Sequence, residues 1–370
     1  MGSTIINTYP PTKKMFGDKE VLKEVWNGET VYEPTKGDAF IKFTSNNPFS
    51  VGVYNNAKKW NGVIETSVDN SVWTVWDGSS PVNASLIEEK YTLFMRGSNC
   101  TTFCQFKASD TAPSGYLVIT SLNTADIAIS GNLYALLKYD VAAKNNYTNI
   151  STRGTFAGLF KNNTKIVDAE NLIIPPYFTG DTCCYQLFYG CSSLQKAPAS
   201  FGINSRGSEA YGKCFAGCSS LVQPPVFDVS GNYNGQIGNL GMNYMFQNCT
   251  SLEEPPKMGM LKLYKNNTSS SAHYGFLFSG CTKLKKLPKI EFTNIDTKVI
   301  NYIFENCSQI KFADAQDATY KNAYSIPYSA NNEYATVCTR SFKGTGGTYS
   351  VADGNYTYNT IVYTSNEIVG

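Results

Sequence analysis

Between residues 156 and 310 the apolar positions fall into one recurring figure. Apolar residues stand at i, i+3 and i+4, and a Cys or Asn follows at i+7. The sets are Phe156/Leu159/Phe160/Asn163, Cys184/Leu187/Phe188/Cys191, Tyr211/Cys214/Phe215/Cys218, Met242/Met245/Phe246/Cys249, Tyr274/Leu277/Phe278/Cys281 and Ile300/Ile303/Phe304/Cys307. That spacing predicts one face of a short helix, about two turns long. The residue before the last position is Asn162, Gly190, Gly217, Asn248, Gly280 or Asn306. Both types tolerate the left-handed conformation that ends a helix. A Leu or Ile follows three residues after the Cys position, and four copies then carry Pro198, Pro224, Pro255 or Pro288. This predicts a short strand that starts near the Cys and is stopped by proline.

The repeated Phe occurs at 160, 188, 215, 246, 278 and 304, in steps of 28, 27, 31, 32 and 26. No single unit of this size can bury its own apolar face, whereas stacked units can. The expected arrangement is a parallel sheet of short strands with short helices on the opposite side. Length variation sits in the loops at 231–241 and 264–272, where a stack takes insertions without disturbing its core. Five of the eleven cysteines hold one repeat position, which makes it a packing position first. The odd total excludes complete pairing within the chain.

The units Leu187-Phe-Tyr-Gly-Cys-Ser-Ser-Leu194, Cys214-Phe-Ala-Gly-Cys-Ser-Ser-Leu221, Met245-Phe-Gln-Asn-Cys-Thr-Ser-Leu252 and Leu277-Phe-Ser-Gly-Cys-Thr-Lys-Leu284 resemble the leucine-rich repeats of BspA-like surface proteins. Such proteins are common in Bacteroides, their relatives and the phages that infect them. The likeness covers about residues 125–345 and implies a leucine-rich-repeat solenoid. It further implies that Asn163, Cys191, Cys218, Cys249, Cys281 and Cys307 form an internal ladder satisfying loop backbone groups, with the cysteines reduced and buried. Cys100 and Cys104 could bridge in an oxidising setting.

The flanks read differently. Residues 1–35 carry alternating runs around Asn27-Gly28, a strong hairpin signal. The phrases Gly17-Asp-Lys-Glu-Val21 and Trp26-Asn-Gly-Glu-Thr-Val-Tyr32 resemble leading segments of phage structural proteins from Bacteroides-type hosts. So small a segment orders itself by docking or oligomerisation. Residues 36–122 show short alternating runs between Asn, Gly and Pro turns and predict a β-sandwich. Residues 123–311 hold the six repeats, and 312–370 carry eight tyrosines that predict an irregular β cap over the last repeat. The expected class is mixed α+β: hairpin, sandwich, leucine-rich-repeat solenoid and cap.

Composition narrows the function. Hydrophobic residues are 42%, which excludes a disordered chain, and charged residues only 16%, against an average of about 25%. A neutral surface rich in Asn, Ser, Thr and Tyr is commoner outside cells. The net charge of +2 includes no basic block, so no nucleic-acid partner is expected. No apolar run is long enough to cross a bilayer, so membrane insertion is not expected either. The first residues lack the charged start and apolar stretch of a signal peptide.

Nothing is arranged for catalysis, metal or cofactor. His273 is the only histidine and lies beside a loop insertion. Glu253-Glu254 could mimic a glycosidase acid pair, yet Lys285-Lys286 hold the equivalent places one repeat on. In-register stacking sets acid against base as a surface ladder. Trp73 and Trp76 lie three apart and face opposite sides of a strand, so at least one belongs to the core. Trp76, Glu253, Glu254, Lys285, Lys286, Tyr356 and Tyr358 are the candidate binding residues. The sequons at Asn162, Asn248 and Asn306 arise from the repeat itself. The expected function is a non-enzymatic phage virion protein, a fibre, decoration or receptor-binding element. Its N-terminal segment would contact other virion proteins, and its repeats would meet a host glycan or protein. A homo-oligomer is expected, with a trimer the natural guess for a fibre. The alternative is a BspA-like adhesin on the bacterial cell surface.

Overall fold

The structure of the chain is a computed structural model. It describes the backbone of residues 15–16, 19–20, 24–26 and 29–32, and then residues 39–56, 60–104, 106, 113, 115–121, 126–144, 147–175, 178–203, 207–228, 236–238, 241–258, 262–263, 274–289, 301–325, 339–349, 351–357 and 360–370. In the leading segment Glu24–Trp26 pairs antiparallel with Glu29–Tyr32. The Asn27-Gly28 turn lies outside the described residues.

Residues 39–132 build two sheets. Ile41–Ser45 and Val63–Ser67 flank the long strand Lys90–Ser98, and Thr74–Trp76 forms the edge beyond Val63–Ser67. On the other side Ile127–Asn132 pairs antiparallel with Ile41–Ser45 and parallel with Ile166–Asp168 and Leu172–Ile173. The repeats therefore continue the same sheet. The second sheet is three-stranded, with Phe49–Val53 between Leu117–Ser121 and Val82–Asn83. Alternation along Ile41–Ser45 buries Ile41, Phe43 and Ser45 and turns Lys42 and Thr44 outward. The Phe43 ring meets Phe160 edge-on at 6.4 Å, so the first sheet and the repeats share one core.

The expected leucine-rich-repeat solenoid of short helices and one parallel sheet is not the fold the chain adopts. The structure is strand-based, and Ala135–Ala142 is the one α-helix among the described residues. Beyond Leu172–Ile173 and as far as Leu287–Pro288, the described strands between successive repeat turns are two or three residues long and form separate small sheets, such as Ser200–Gly202 with Val226–Asp228 and Leu287–Pro288 with Ile368–Val369. The strand pairings lie beyond the prolines at 198 and 224, not before them; the residues preceding them meet only as single bridges, Asp168–Lys196–Gln223. Proline has no N–H to extend a ladder.

The predicted helices are chains of tight turns. In the first repeat the N–H groups of Gly154, Phe156, Gly158, Phe160 and Asn162 donate to the carbonyls of Asp181, Cys183, Tyr185, Leu187 and Tyr189 in the next repeat, at 2.7–2.9 Å. The N–H groups between them, of Ala157, Leu159, Lys161 and Asn163, donate three residues back within the repeat. Every fourth residue is left-handed: Gly154, Gly158 and Asn162, then Thr182, Gln186 and Gly190, then Glu209, Lys213 and Gly217. An α-helix would spend every N–H on its own chain, four residues back. Here half of them are spent between repeats. The i, i+3, i+4, i+7 figure fits a four-residue turn period as well as a 3.6-residue helix, because two turns are too short to separate them.

Successive repeats lie in register. The repeated Phe rings stack at centroid spacings of 5.1, 5.5, 5.5, 5.6 and 6.0 Å from Phe160 to Phe304. A seventh ring, Phe342, continues the column at 6.1 Å. Tyr302, Phe304 and Asn306 donate their N–H groups to the carbonyls of Thr339, Ser341 and Lys343. Residues 339–345 are thus a further unit inside the predicted cap. The chain end then folds back, and Ile361–Thr364 pairs with both Lys311–Ala313 and Asn322–Ser325.

Phe215, fully buried with stacked neighbours on both sides, tests this column. Phe215→Ala is expected to lower the unfolding free energy in urea by about 3–5 kcal/mol, and a cost below about 1 kcal/mol would contradict the packing.

Candidate functional site

Inside the stack, the Cys position forms a line of sulfur contacts. The Sγ atoms of Cys191, Cys218, Cys249, Cys281 and Cys307 donate to the carbonyls of Phe160, Phe188, Phe215, Phe246 and Phe278, each in the preceding repeat, at 3.0–3.2 Å. Asn163 stands in the same place but faces the strand Leu117–Ser121 instead of a repeat. Its amide accepts from the Ile119 N–H and donates to the Leu117 carbonyl, both at 2.8 Å. A thiol offers only a weak donor and a weak acceptor on one atom, whereas the amide meets both backbone groups with separate strong ones, which favours Asn in the first copy. No disulfide joins Cys100 to Cys104, and both are buried, as are all the described cysteines. Desolvation pushes Cys191 and Cys281 up to about 12 and holds Cys218, Cys249 and Cys307 well above the ordinary thiol range. These thiols are packing groups, not nucleophiles.

The candidate binding residues do not converge. Glu253 pairs with Lys285 at 2.8 Å, Glu254 with Lys286 at 2.7 Å, and Lys286 also reaches Glu367 at 3.2 Å. Glu253, Glu254, Lys285 and Glu367 are well exposed and Lys286 partly so, and solvent screening leaves such surface pairs little weight in stability. Trp76 is buried, stacked on Trp60 at 5.2 Å, and its indole N–H donates to the Ser80 carbonyl. Tyr356 is buried against Phe342. Neither ring presents a face to a ligand, because both fill core beneath loops. Tyr358 and His273 lie outside the described residues. No metal-holding group of His, Cys, Asp and Glu, and no helix long and apolar enough to cross a membrane, occurs among the described residues.

A different surface stands out. The residue two before each repeated Phe is Gly158, Gln186, Lys213, Tyr244, Phe276, Tyr302 or Arg340, and all are left-handed. The residue two after the Phe meets the same backbone demand, and there only Asn and Gly occur: Asn162, Gly190, Gly217, Asn248, Gly280, Asn306 and Gly344. A left-handed residue with a side chain costs about 1–2 kcal/mol, and bulky residues are outliers there. One column minimises that cost and the other accepts it.

The accepted cost assembles a line of rings and cations. Tyr244 stacks on Phe276 at 4.3 Å and Phe276 on Tyr302 at 4.1 Å, with planes within 10°. Arg340 lies over Tyr302 at 5.7 Å, and the Lys213 ammonium over Tyr244 at 5.1 Å and Tyr185 at 5.9 Å. Tyr185 stacks on Phe106 at 5.5 Å, and Arg153 caps Phe106 at 6.0 Å. Ring pairs contribute about 0.5–1.5 kcal/mol each, enough to offset much of the strain. Apart from the buried Phe106, these side chains are half-buried, with their ring faces turned to one another. They offer solvent their edges, the positive rim of the aromatic quadrupole, with a cation at either end. Sequence reading missed this column because a helix register sends its residues to unrelated solvent positions. The signal available was the succession Tyr244, Phe276, Tyr302 at one repeat position.

No protein family, curated protein or solved structure matches the chain.

The thiol line carries its own test. At mildly alkaline pH an aromatic disulfide reagent, mapped by mass spectrometry, is expected to leave the described thiols unmodified until denaturant unfolds the chain. Rapid labelling of several in the folded protein would contradict their burial. Their folded-state proton affinity exceeds the unfolded one, so this contribution to stability is complete below pH 9 and falls as pH rises towards about 12.

Proposed function

We propose that the chain is a non-enzymatic recognition protein of a phage virion, which meets its host's surface along the ring-and-cation column from Tyr185 to Arg340. The column carries this reading because Lys213, Tyr244, Phe276, Tyr302 and Arg340 are retained at strained positions, where Gly or Asn would be cheaper, and this points to use. Composition supports it as well: a neutral surface, sparse in charge, suits a protein displayed outside a cell. The acids Glu253 and Glu254 are each held by a lysine and suit a charge ladder better than a hydrolytic pair. In this reading the N-terminal segment attaches to other virion proteins and the repeats face outward, in a homo-oligomer. The resemblance to BspA-like repeats keeps a bacterial surface adhesin as the alternative.

Purified protein is expected to bind host-type cells, and Tyr302→Ser to weaken that binding at least about tenfold through loss of a stacked ring and its cation contact. Equal binding by the variant would overturn the column's role. In negatively stained lysates, antibody against the chain is expected on virions; label confined to bacterial envelopes would favour the adhesin instead.

A further inference from the structure

The two ends of the column are closed by ion pairs, and among the described residues its middle is not. Arg153 is held by Asp181 at 3.2 Å and Arg340 by Glu305 at 3.0 Å. Lys213, between Tyr185 and Tyr244, has no carboxylate partner among the described residues. Beside it, Lys161 lies over the Tyr189 ring at 5.5 Å and is also without a carboxylate among the described residues. Tyr185 and Tyr189 are four residues apart on one turn chain, the period of that chain, so they face the same way one turn apart. Two ammonium groups are thereby seated over adjacent tyrosines of a single repeat. Gly212, itself buried, lets the backbone pack close against Tyr185; a Cβ there would lie 3.1 Å from the ring.

From this juxtaposition we infer that Lys161 and Lys213, framed by Tyr185 and Tyr189, form a subsite for the acidic group of an anionic polysaccharide. The inference rests on the recognition role proposed above and gives it a ligand class. An anion between the two ammonium groups answers positive charge that no carboxylate pairs among the described residues. The Lys161 ammonium is already disfavoured, first by desolvation and then by Lys213, so a bound anion relieves both. Along the rest of the column ring edges and tyrosine hydroxyls favour electron-rich acceptors, which polysaccharide hydroxyls and ring oxygens supply. Neutral sugar stacking needs open ring faces, and those faces are occupied by neighbouring rings. An acidic peptide is less well served. Main-chain pairing needs free backbone N–H groups, and along this face they are bonded to the next repeat or back within their own turn.

The test uses the full chain and four polymers: polygalacturonate, dextran sulfate, neutral dextran and polyglutamate, titrated calorimetrically at low salt. Polygalacturonate or dextran sulfate is expected to bind, and which of them binds tells a carboxylate from a sulfate source. Neutral dextran is expected to remain unbound. Lys161→Gln with Lys213→Gln is expected to weaken binding at least about tenfold, as befits two charge-assisted contacts. The Lys161→Arg, Lys213→Arg pair is expected to restore it, and an unchanged thermal midpoint in both shows that the fold is intact. Added salt is expected to weaken the wild-type complex and barely alter the residual binding of the glutamine pair. Wild-type affinity in the glutamine pair, or equal affinity for neutral dextran, would overturn the subsite. Tighter binding of polyglutamate than of either acidic polysaccharide would overturn the polysaccharide assignment. Cell binding separates the two levels: host cells held equally by wild type and the glutamine pair refute the subsite alone, whereas cells ignored by wild type refute the recognition role.

Discussion

A backbone N–H can satisfy one strong acceptor, and in the repeats every second one is committed to the neighbouring repeat. The alternation seen from Gly154 to Asn162 recurs from Thr182 to Gly190 and, less completely described, up to Asn306. Once half the donors point along the stack, the other half can close only short turns. A chain of such turns needs a left-handed residue at every fourth place. The Phe column, the line of Cys sulfur contacts and the strained Tyr244, Phe276 and Tyr302 all follow from that commitment. Each repeat's core face and its neighbour's carbonyls are fixed by the same bonds, which is why the rings keep a spacing of 5.1–6.0 Å over six repeats.

Much of the core was legible in the sequence. The apolar sets built on Phe160, Phe188, Phe215, Phe246 and Phe278 are buried throughout their described members, because any regular fold of the unit must hide them. The helix was the misreading. Leu187 and Cys191 share a face at a period of 3.6 or of 4, and only a longer run would separate the two. Gly190 and Asn248 are residue types that also end helices, whereas Gln186 and Tyr244, equally left-handed, give no local hint of that conformation. Bulky residues take that conformation only because the stack imposes it. The seventh unit escaped notice because Phe342 lies 38 residues after Phe304 and Thr345 replaces the Cys.

The site was less legible than the core, for a related reason. Surface candidates such as Trp76 and Tyr356 were chosen by residue type, and both are consumed by packing. The column on the turn face draws its members from separate repeats, Lys213, Tyr244, Phe276, Tyr302 and Arg340, so no local motif announces it. It becomes visible when the repeats are aligned on their Phe and the position two before it is followed from unit to unit. The acid–base rows at Glu253–Lys285 and Glu254–Lys286 show the same register on another face, where opposite charges meet without strain.

The commitment of alternate N–H groups between repeats is tested most directly by comparing Lys213→Ala with Lys213→Gly in equilibrium urea unfolding. Both substitutions remove the same ammonium and its ring contacts, so their difference reports the backbone at a position with φ of 55°. In a left-handed turn the glycine variant is the more stable, by about 1 kcal/mol. In an α-helical repeat the order reverses by a similar ~1 kcal/mol. An alanine variant more stable than the glycine variant would contradict the turn-chain architecture and the column built on it.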